Sequence, residues 1–512
     1  MLNGMLPYLD QPLIRDLAAG NPSLAARRLN IYLDLAEAYA LQGNRRESLD
    51  YLRKVLAASP NPEIAKFIER QESFGAMRED PEFKQILLQF RRYEALWDSK
   101  ALSTPFRENI SDAEKLAGLG KFWSEVKYNF AYPEKLIALD WDKLYLEAIP
   151  RILATKSTAG YYRELMRLCA SLGDGHTNVN EPAAANISAK PPLRTGLVEG
   201  RVMILEVMSP ALEAQGVRAG AEIAAVDGEP AIAYARREVE PYQSAATPQD
   251  REIRTFWYGF LRGPREKSVR LTLRDPAGNE SEKQVMRQGF TDVRRRPLFE
   301  WRMLPGNIAY VALNGFDNDT VVKQWREAFP KIKEASALIL DLRLNGGGSS
   351  NFGFEILTDL AKQPFLASRE RMRKYNPTDR ARGTLMEFTE APAGLVTPRP
   401  GGFHSKPAVV LSSGATYSAA EDFLVAWKNS GRGKIIGEPT GGSTGQPLIF
   451  SLPGGGGARV CTKQDTFPDG REWVGKGIEP DILVRPTLAG LWAGRDTVLE
   501  RALEFLRTSA VK

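Results

Sequence analysis

The chain has 512 residues and a net charge of only +6, from 69 basic and 63 acidic side chains. Since one hydrophobic core rarely serves more than about 300 residues, this length predicts two to four domains. Hydrophobic residues make up 43% and charged residues 26%, as in an ordinary globular protein. The small positive excess is spread thinly, without a basic stripe interleaved with aromatic residues, which argues against nucleic-acid binding.

The few histidines and cysteines and the short apolar runs argue against a metal or cofactor site and against a membrane-spanning helix. The two histidines, His176 and His404, and the two cysteines, Cys169 and Cys461, form no metal-ligand spacing, so neither a metal nor a cofactor is expected. Both cysteines are expected to be buried, with no support for a disulfide, and His404 is expected to be exposed in a polar loop. No apolar run reaches the length of about 18 residues that a membrane-spanning helix needs.

The N-terminus, Met1–Asp16, lacks a charged segment followed by an apolar one, so it does not read as a signal peptide. Two alternatives remain: a cytoplasmic protein, or a sequence that begins after a removed signal.

Residues 1–104 are predicted to form an all-α region. Apolar residues recur at helical spacing over Leu29–Ala40, Gly43 ends that pattern, and a second helix is predicted over Arg45–Ala58. The pair resembles a tetratricopeptide repeat unit. A peptide-binding repeat array and a helical pair packed on a neighbouring domain both fit this pattern.

Residues 105–190 continue with helical periodicity. It runs from about Ser111 to Leu172 and ends at the glycine-rich turn Gly173–Thr177, which carries His176. A histidine in such a turn is freely placed, so it suits either a structural or a catalytic role.

Residues 191–292 change to short strands and turns. The segment Gly216–Pro230, with its Asp-Gly turn, resembles a PDZ domain of the circularly permuted bacterial type. Such a domain captures a chain end by adding it as a strand, and the candidate binding loop is Thr195, Gly196 and Leu197. The alternative is a rigid lid over an active site.

Residues 293–512 alternate strand and helix, which predicts an α/β core with helices on both faces. The predicted strands and helices are Ile308–Leu313, Thr320–Ala335, Ala337–Leu342, Ala408–Leu411, Ser418–Asn429 and Lys434–Ile436. The stretch Arg369–His404 lacks periodicity and predicts a long surface loop or flap.

Ser418 follows a buried strand and begins a helix. Its hydroxyl would lie at the positive helix end, beside the free N–H of Ala419, as an acyl-transfer nucleophile requires. Ser418-x-x-Glu421 is equally a capping box, which would be purely structural.

The segment Asp341–Gly348 runs from a buried strand into a triple-glycine turn, which can expose N–H groups in a concave nest. A phosphate loop is the rival interpretation, but no Gly-Lys-Ser/Thr follows. A plain tight turn is the other alternative. Asp341 and Arg343 are predicted to pair structurally.

These motifs together resemble the C-terminal processing peptidase family, in particular its tricorn-core branch. They occur in the family's order, as Leu172–Thr177, Gly216–Pro230, Asp341–Gly348, Ser418–Glu421, Gly437–Thr440 and Gly475–Asp481. The resemblance implies a ClpP/crotonase-like α/β peptidase core with an inserted PDZ-like domain and an N-terminal all-α region.

One difference from the family's pattern indicates which branch of the family this chain resembles. The Ser–Lys branch has a general-base lysine shortly after Gly-Glu-x-Thr, but Gly441–Gly445 contains none. The branch with a histidine base therefore implies Ser418 as nucleophile, His176 as base and Glu479 as the residue that orients it. By the same resemblance, the oxyanion hole is formed by Gly346 or Gly347 and Ala419. That branch has a serine just before its histidine, where this chain has Gly175.

The resemblance implies peptide or unfolded-protein substrates, processing at carboxyl ends, and a periplasmic or secreted setting. It leaves homo-oligomer formation open. The PDZ-like segment is expected to tune substrate choice, because it supplies none of the three proposed groups. The alternatives are a non-catalytic carrier of hydrophobic ligands or peptides on the same fold, and a scaffold.

Overall fold

The computed structural model describes residues 7, 11, 22–183, 188–290 and 293–509. The chain forms two compact units, with the boundary between Ser103 and Thr104. The prediction about Met1–Asp16 falls almost entirely outside the described residues. Among the helices that are described, none is both long enough and apolar enough to cross a membrane.

The first unit is built from helices. They are α1 (Pro22–Leu41), α2 (Arg45–Ala58), α3 (Pro62–Arg70), α4 (Pro81–Arg91) and α5 (Glu94–Trp97), with a 3₁₀ turn over Glu72–Met77. The predicted bounds of α2 are confirmed, and it buries Leu49, Leu52 and Val55. The preceding helix begins at Pro22, earlier than its apolar periodicity indicated. The tetratricopeptide assignment stays a prediction.

The second unit starts with a helical segment that leads into the turn carrying His176. Its elements are α6 (Asp112–Asn129), α7 (Pro133–Leu139), α8 (Trp141–Ala154), α9 (Thr158–Ala170), β1 (Asn178–Asn180) and β2 (Ser188–Ala189). Between α9 and β1, Gly173 has a φ of 57°, which a glycine adopts without cost. β1 then pairs antiparallel with residues 457–459, so the turn is anchored to a distant part of the chain.

An inserted domain, residues 193–286, follows. It contains β3 (Leu193–Val198), β4 (Arg201–Val207), α10 (Pro210–Ala214), β5 (Glu222–Val226), β6 (Glu229–Pro230), α11 (Ala231–Glu238), α12 (Pro248–Ile253), β7 (Gly263–Pro264), β8 (Ser268–Arg274) and β9 (Glu280–Met286). The antiparallel order is β3-β4-β5-β8-β9, with β6 beside β5. Asp227 and Gly228 both have positive φ at the predicted hairpin turn.

The candidate loop of Thr195, Gly196 and Leu197 is a strand instead. All three residues lie in the edge strand β3. Thr195 is buried, and its hydroxyl donates to the Phe256 carbonyl. Leu197 lines a cavity of about 460 Å³ between β3 and α11.

The C-terminal part is the predicted α/β core. Its elements are β10 (Phe299–Leu304), β11 (Ile308–Leu313), α13 (Thr320–Lys333), β12 (Ala337–Asp341), α14 (Ser350–Leu357), β13 (Phe365–Leu366), β14 (Arg369–Lys374), α15 (Pro377–Ala381), β15 (Glu387–Ala391), β16 (Leu395–Val396), β17 (Ala408–Ser412), α16 (Ala419–Ser430), β18 (Lys434–Gly437), β19 (Leu448–Ser451), β20 (Gly457–Val460), β21 (Lys463–Thr466), β22 (Ile482–Leu483), α17 (Leu488–Trp492) and α18 (Thr497–Ser509).

A six-stranded sheet in the order β10-β11-β12-β17-β18-β22 forms the centre of this core. β10 is antiparallel to its neighbour, and the other strands are parallel. Trp325 and Trp427 cover one face, while Val498 and Leu506 of α18 cover the other. The predicted α/β core with helices on both faces is confirmed, since both faces of the parallel strands are buried.

Two predictions about residues 369–404 are wrong. The segment contains the hairpin β14–β15, and β14 also pairs with β21. These strands carry charged side chains on exposed surface, so their sequence lacks apolar alternation. His404 is fully buried rather than exposed, because it packs against Arg432, whose guanidinium contacts both its ring and its carbonyl. Cys169 and Cys461 are buried and free, as expected.

In the glycine turn after β12, Gly348 packs closely against the backbone of Phe316. Gly348 has a φ of 127°, and a Cβ there would lie 2.0 Å from the Phe316 carbonyl oxygen. We expect Gly348→Ala to lower the free energy of unfolding by more than the roughly 1–3 kcal/mol that an unfavourable φ alone costs. The measurement is denaturant unfolding followed by circular dichroism.

The matched control is Gly346→Ala in the same turn, because a Cβ at Gly346 meets no atom within 4 Å. It should unfold at nearly the wild-type denaturant concentration. Equal stability of the two variants would show that the contact between Gly348 and Phe316 is not tight.

Candidate active site

Ser418 lies between β17 and α16 in a conformation that non-glycine residues avoid, with φ 57° and ψ −124°. Its backbone N–H donates to the Glu421 carboxylate at 3.0 Å and to the Ser443 carbonyl at 3.2 Å. These bonds hold the unfavourable conformation, which directs the side chain out of the helix end. Backbone strain of this kind clusters at functional sites.

His176 reaches the nucleophile candidate from the turn before β1. Its Nε2 lies 3.0 Å from the Ser418 Oγ, and its Nδ1 lies 2.8 Å from the Ser443 Oγ. The ring is 5.1 Å from the Tyr417 ring and nearly parallel to it, at 4°. The Asp174 carboxylate accepts the backbone N–H of His176 at 3.2 Å. The imidazole is therefore fixed on both nitrogens and on one face.

The environment of His176 favours the neutral imidazole. Burial lowers the pKa of His176 well below its usual value, and the charges of Arg459, Arg254 and Lys463 lower it further. In the tautomer in which Nδ1 donates to Ser443, the unprotonated Nε2 faces the Ser418 hydroxyl. This is the protonation state that a general base needs.

Glu479 is not the partner of His176 in this structure. Its side chain is exposed, and its backbone carbonyl accepts from Lys428 Nζ at 2.8 Å. The sequence prediction for this residue is corrected: Ser443 occupies the position beside Nδ1. The sequence contained a signal for this contact. The stretch Gly441–Gly445, where the Ser–Lys branch has its lysine, contains the hydroxyl residue Ser443 here.

The three oxyanion candidates differ in their N–H groups. Gly347 N–H donates to Asn345 Oδ1 at 3.0 Å, so it is already engaged. Within the described part of the chain, no acceptor takes the N–H of Ala419 or Gly346. A Cβ on Gly347 would lie 2.7 Å from the Ser418 Cβ, so this glycine instead permits close approach of the turn to the serine.

A buried carboxylate, Glu421, connects the helix to the loop that carries Ser443. Besides the Ser418 N–H, it accepts the N–H groups of Gly442 at 2.7 Å and Ser443 at 3.1 Å, and the Thr440 hydroxyl. Burial raises the pKa of Glu421, while these hydrogen bonds, all of them from donors, lower it and favour the ionised carboxylate. The carboxylate fixes both serines relative to each other.

A second buried group of charges lies one residue further along α16. Ser350 donates to Asp422 at 2.6 Å, and Lys463 Nζ lies 3.0 Å from Asp465 and 2.7 Å from Glu370. Burial raises the pKa of Asp465 to about 7, against the lowering effect of Lys463. The group joins β14 and β21 to the base of the site.

The chain is similar in sequence to curated carboxyl-terminal-processing proteases. The carboxy-terminal-processing protease of Bartonella bacilliformis is 28% identical over 200 residues, 38% of this chain and 42% of that protein. The carboxyl-terminal-processing protease of Picosynechococcus sp. is 24% identical over 360 residues, 67% of this chain and 77% of that one. The aligned region therefore covers less than half of the length of the Bartonella protein.

Among solved structures, mature CPAF complexed with lactacystin has a TM-score of 0.61 at 17% identity, over 78% of this chain and 98% of that chain. That likeness concerns the fold.

A serine hydroxyl at a helix N-terminus, 3.0 Å from the ring nitrogen of a buried histidine, is the arrangement that serine-type hydrolases use. Residues 307–484 match the family model described as Peptidase family S41. Ser418 and Ser443 lie within the matched residues, whereas His176 precedes them.

Replacing Glu421 by glutamine tests its connecting role. The amide would turn an N–H group toward backbone N–H donors, and at least one buried donor would lose its acceptor. We expect Glu421→Gln to lower the free energy of unfolding by about 1–3 kcal/mol, measured by denaturant titration. Glu327→Gln, on the exposed side of α13, is the control and should change little. Equal effects of the two would contradict the role of Glu421.

The stability of the protein should depend on pH through Asp465. Its folded-state pKa, about 7, lies above its usual value of 3.8, so the folded state retains a proton that the unfolded state loses. The stabilising contribution of this proton is complete below pH about 4 and is lost as pH rises through about 7.

We therefore expect the free energy of unfolding of wild type, relative to Asp465→Asn, to fall between these two pH values. Each pKa unit corresponds to roughly 1.4 kcal/mol. Asp319→Asn, at an exposed carboxylate, should show no such trend. A difference that rises with pH would show that Asp465 is ionised throughout.

Proposed function

We propose that this protein is a serine peptidase that cleaves peptide bonds by acyl transfer, with Ser418 as nucleophile and His176 as general base. The observation that carries the proposal is the 3.0 Å contact between Ser418 Oγ and His176 Nε2 at the N-terminus of α16. The free N–H of Ala419 beside it supplies the electrostatic element that acyl transfer requires.

The geometry supports a conventional sequence of steps. Ser418 Oγ attacks the carbonyl carbon while His176 Nε2 takes its proton, and the oxyanion is held by the N–H groups of Ala419 and Gly346. The imidazolium then protonates the leaving amine, and a water molecule activated by the same imidazole releases the acyl group. The helix dipole of α16 favours the negative charge at this end.

Peptides or unfolded proteins are the proposed substrates, cleaved as carboxyl-end processing. The names of the matched relatives state that activity, and β3 is the edge strand of its sheet and lines a cavity, where an extended chain can add as a strand. A non-catalytic carrier on the same fold would have no need of the Ser418–His176 contact.

The test is labelling by a fluorophosphonate probe together with hydrolysis of a peptide substrate. Ser418→Ala should abolish labelling, and Ser418→Ala and His176→Ala should each lower kcat by roughly 10⁴-fold or more. Glu479→Gln should stay within about two-fold of wild type, because the exposed carboxylate does not touch His176. Wild-type turnover in Ser418→Ala would overturn the proposal.

A further inference from the structure

A chain of polar groups continues behind His176 and ends in the inserted domain. The Ser443 hydroxyl, which faces His176 Nδ1, also interacts with the Tyr417 hydroxyl. The Tyr417 hydroxyl accepts from Arg254 Nη2 at 2.8 Å and lies 3.5 Å from Asp250 Oδ2. Each hydroxyl has one proton, so the donors can run in one direction, from His176 through Ser443 and Tyr417 to the Asp250 carboxylate.

Arg254 and Asp250 are themselves firmly held. Asp250 is buried, accepts the Ala246 N–H at 2.9 Å, and pairs with Arg254 Nε at 2.6 Å. Arg254 Nη2 also donates to the Gly175 carbonyl at 2.9 Å, directly before His176. From the same segment, the Thr247 hydroxyl donates to the Gly441 carbonyl at 2.8 Å. Residues 247–254 therefore contact both the histidine turn and the loop of Ser443.

The absence of a side chain at Gly175 follows from this arrangement. A Cβ there would lie 1.7 Å from the Tyr417 Oη and 2.7 Å from Asp250 Oδ2. The φ of Gly175 is not positive, so the backbone itself would accept another residue. The Tyr417 hydroxyl thus fills the space beside position 175, where the tricorn-core branch has a serine.

We infer that Tyr417, held by Arg254 and Asp250 of the inserted domain, is a positioning residue that fixes the orientation and tautomer of His176 through Ser443. It does so by its ring, stacked on the imidazole, and by its hydroxyl, which gives Ser443 an acceptor. The inference rests on the proposed Ser418–His176 reaction and deepens it.

The inserted domain, which the sequence predicts to tune substrate choice, also supplies Arg254 and Asp250 behind the histidine. The charged groups that face His176 come from several elements: Arg254 and Asp250 from α12 and the turn after it, Asp174 from the histidine turn, and Arg459 and Lys463 from β20 and β21. Without a carboxylate on Nδ1, the hydroxyl chain is the contact that stabilises the imidazolium.

The central experiment compares Tyr417→Phe, Ser443→Ala and their combination in the full chain. Tyr417→Phe keeps the stacked ring and removes only the hydroxyl. We expect kcat to fall by roughly 10- to 100-fold with KM nearly unchanged, as for outer partners of a functional histidine. Because the two groups act in series, the double variant should be no worse than Ser443→Ala. Tyr161→Phe is the matched control, since its hydroxyl is buried without a hydrogen-bond partner in the described residues.

A spectroscopic readout separates positioning from general damage. The chain has two histidines, so ¹⁵N-histidine spectra contain one reporter, His176, and one internal reference, His404. Wild type should show the Nδ1–H tautomer for His176. Tyr417→Phe and Ser443→Ala should shift the His176 nitrogens and leave those of His404 unchanged.

A steric test uses the space at Gly175. Gly175→Ala should lower kcat strongly in wild type and have a smaller additional effect in the Tyr417→Phe background, where the nearer of the two clashing oxygens is gone. If Tyr417→Phe does not fold, as judged by thermal melting, Asp250→Asn with the same kinetic and spectral readouts decides the question.

Wild-type kcat in Tyr417→Phe, an unchanged His176 spectrum, or a loss confined to KM would overturn the inference. Its failure is distinguishable from failure of the proposed function. If Ser418→Ala is inactive while Tyr417→Phe is normal, only the role of Tyr417 is wrong, whereas turnover in Ser418→Ala removes the basis of both.

Discussion

The arrangement of the site depends on the buried carboxylate of Glu421. It receives the N–H groups of Ser418, Gly442 and Ser443 and the hydroxyl of Thr440, so it fastens the start of α16 to the loop after β18. In a low-dielectric interior, such charge-assisted bonds are strong, and leaving any one unmade is costly. The nucleophile and the partner of the histidine are thereby fixed by one side chain.

The same region accepts backbone strain where the chemistry is proposed. Ser418 has a positive φ, and Gly347 and Gly348 bring the neighbouring turn against it and against Phe316. The surrounding sheet over-determines these conformations, because β12 and β17 are fully buried and paired side by side. A rigid parallel sheet can hold strained loops at its carboxyl edge without losing the fold.

His176 illustrates how far apart in the chain the contributions lie. The turn before β1 supplies the imidazole, the loop after β18 supplies Ser443, and the inserted domain supplies the groups behind Tyr417. The inserted domain thus contacts the surroundings of the candidate histidine, in addition to forming the edge strand β3. The site is complete only when three separately encoded segments pack together.

Elements whose signal is local were predictable from the amino-acid sequence alone. Unbroken apolar runs identified β11, β12 and β17, the Asp-Gly pair identified the hairpin after β5, and the serine at a helix start identified the position of Ser418. His176 could be selected because only one other histidine competes with it. The hairpin at 369–391 was not predicted, because its exposed strands carry charged residues instead of alternating apolar ones.

The group that meets Nδ1 of His176 depends on tertiary packing and could not be predicted from the motifs. Glu479 stood at the motif position expected of an orienting acid, yet its carboxylate points to solvent, while Ser443 and Tyr417 occupy the buried space. Periodicity and motif order encode where a strand or helix begins. Which side chain fills a given interior space depends on the packing of segments hundreds of residues apart, and a local pattern carries no record of that distance or orientation.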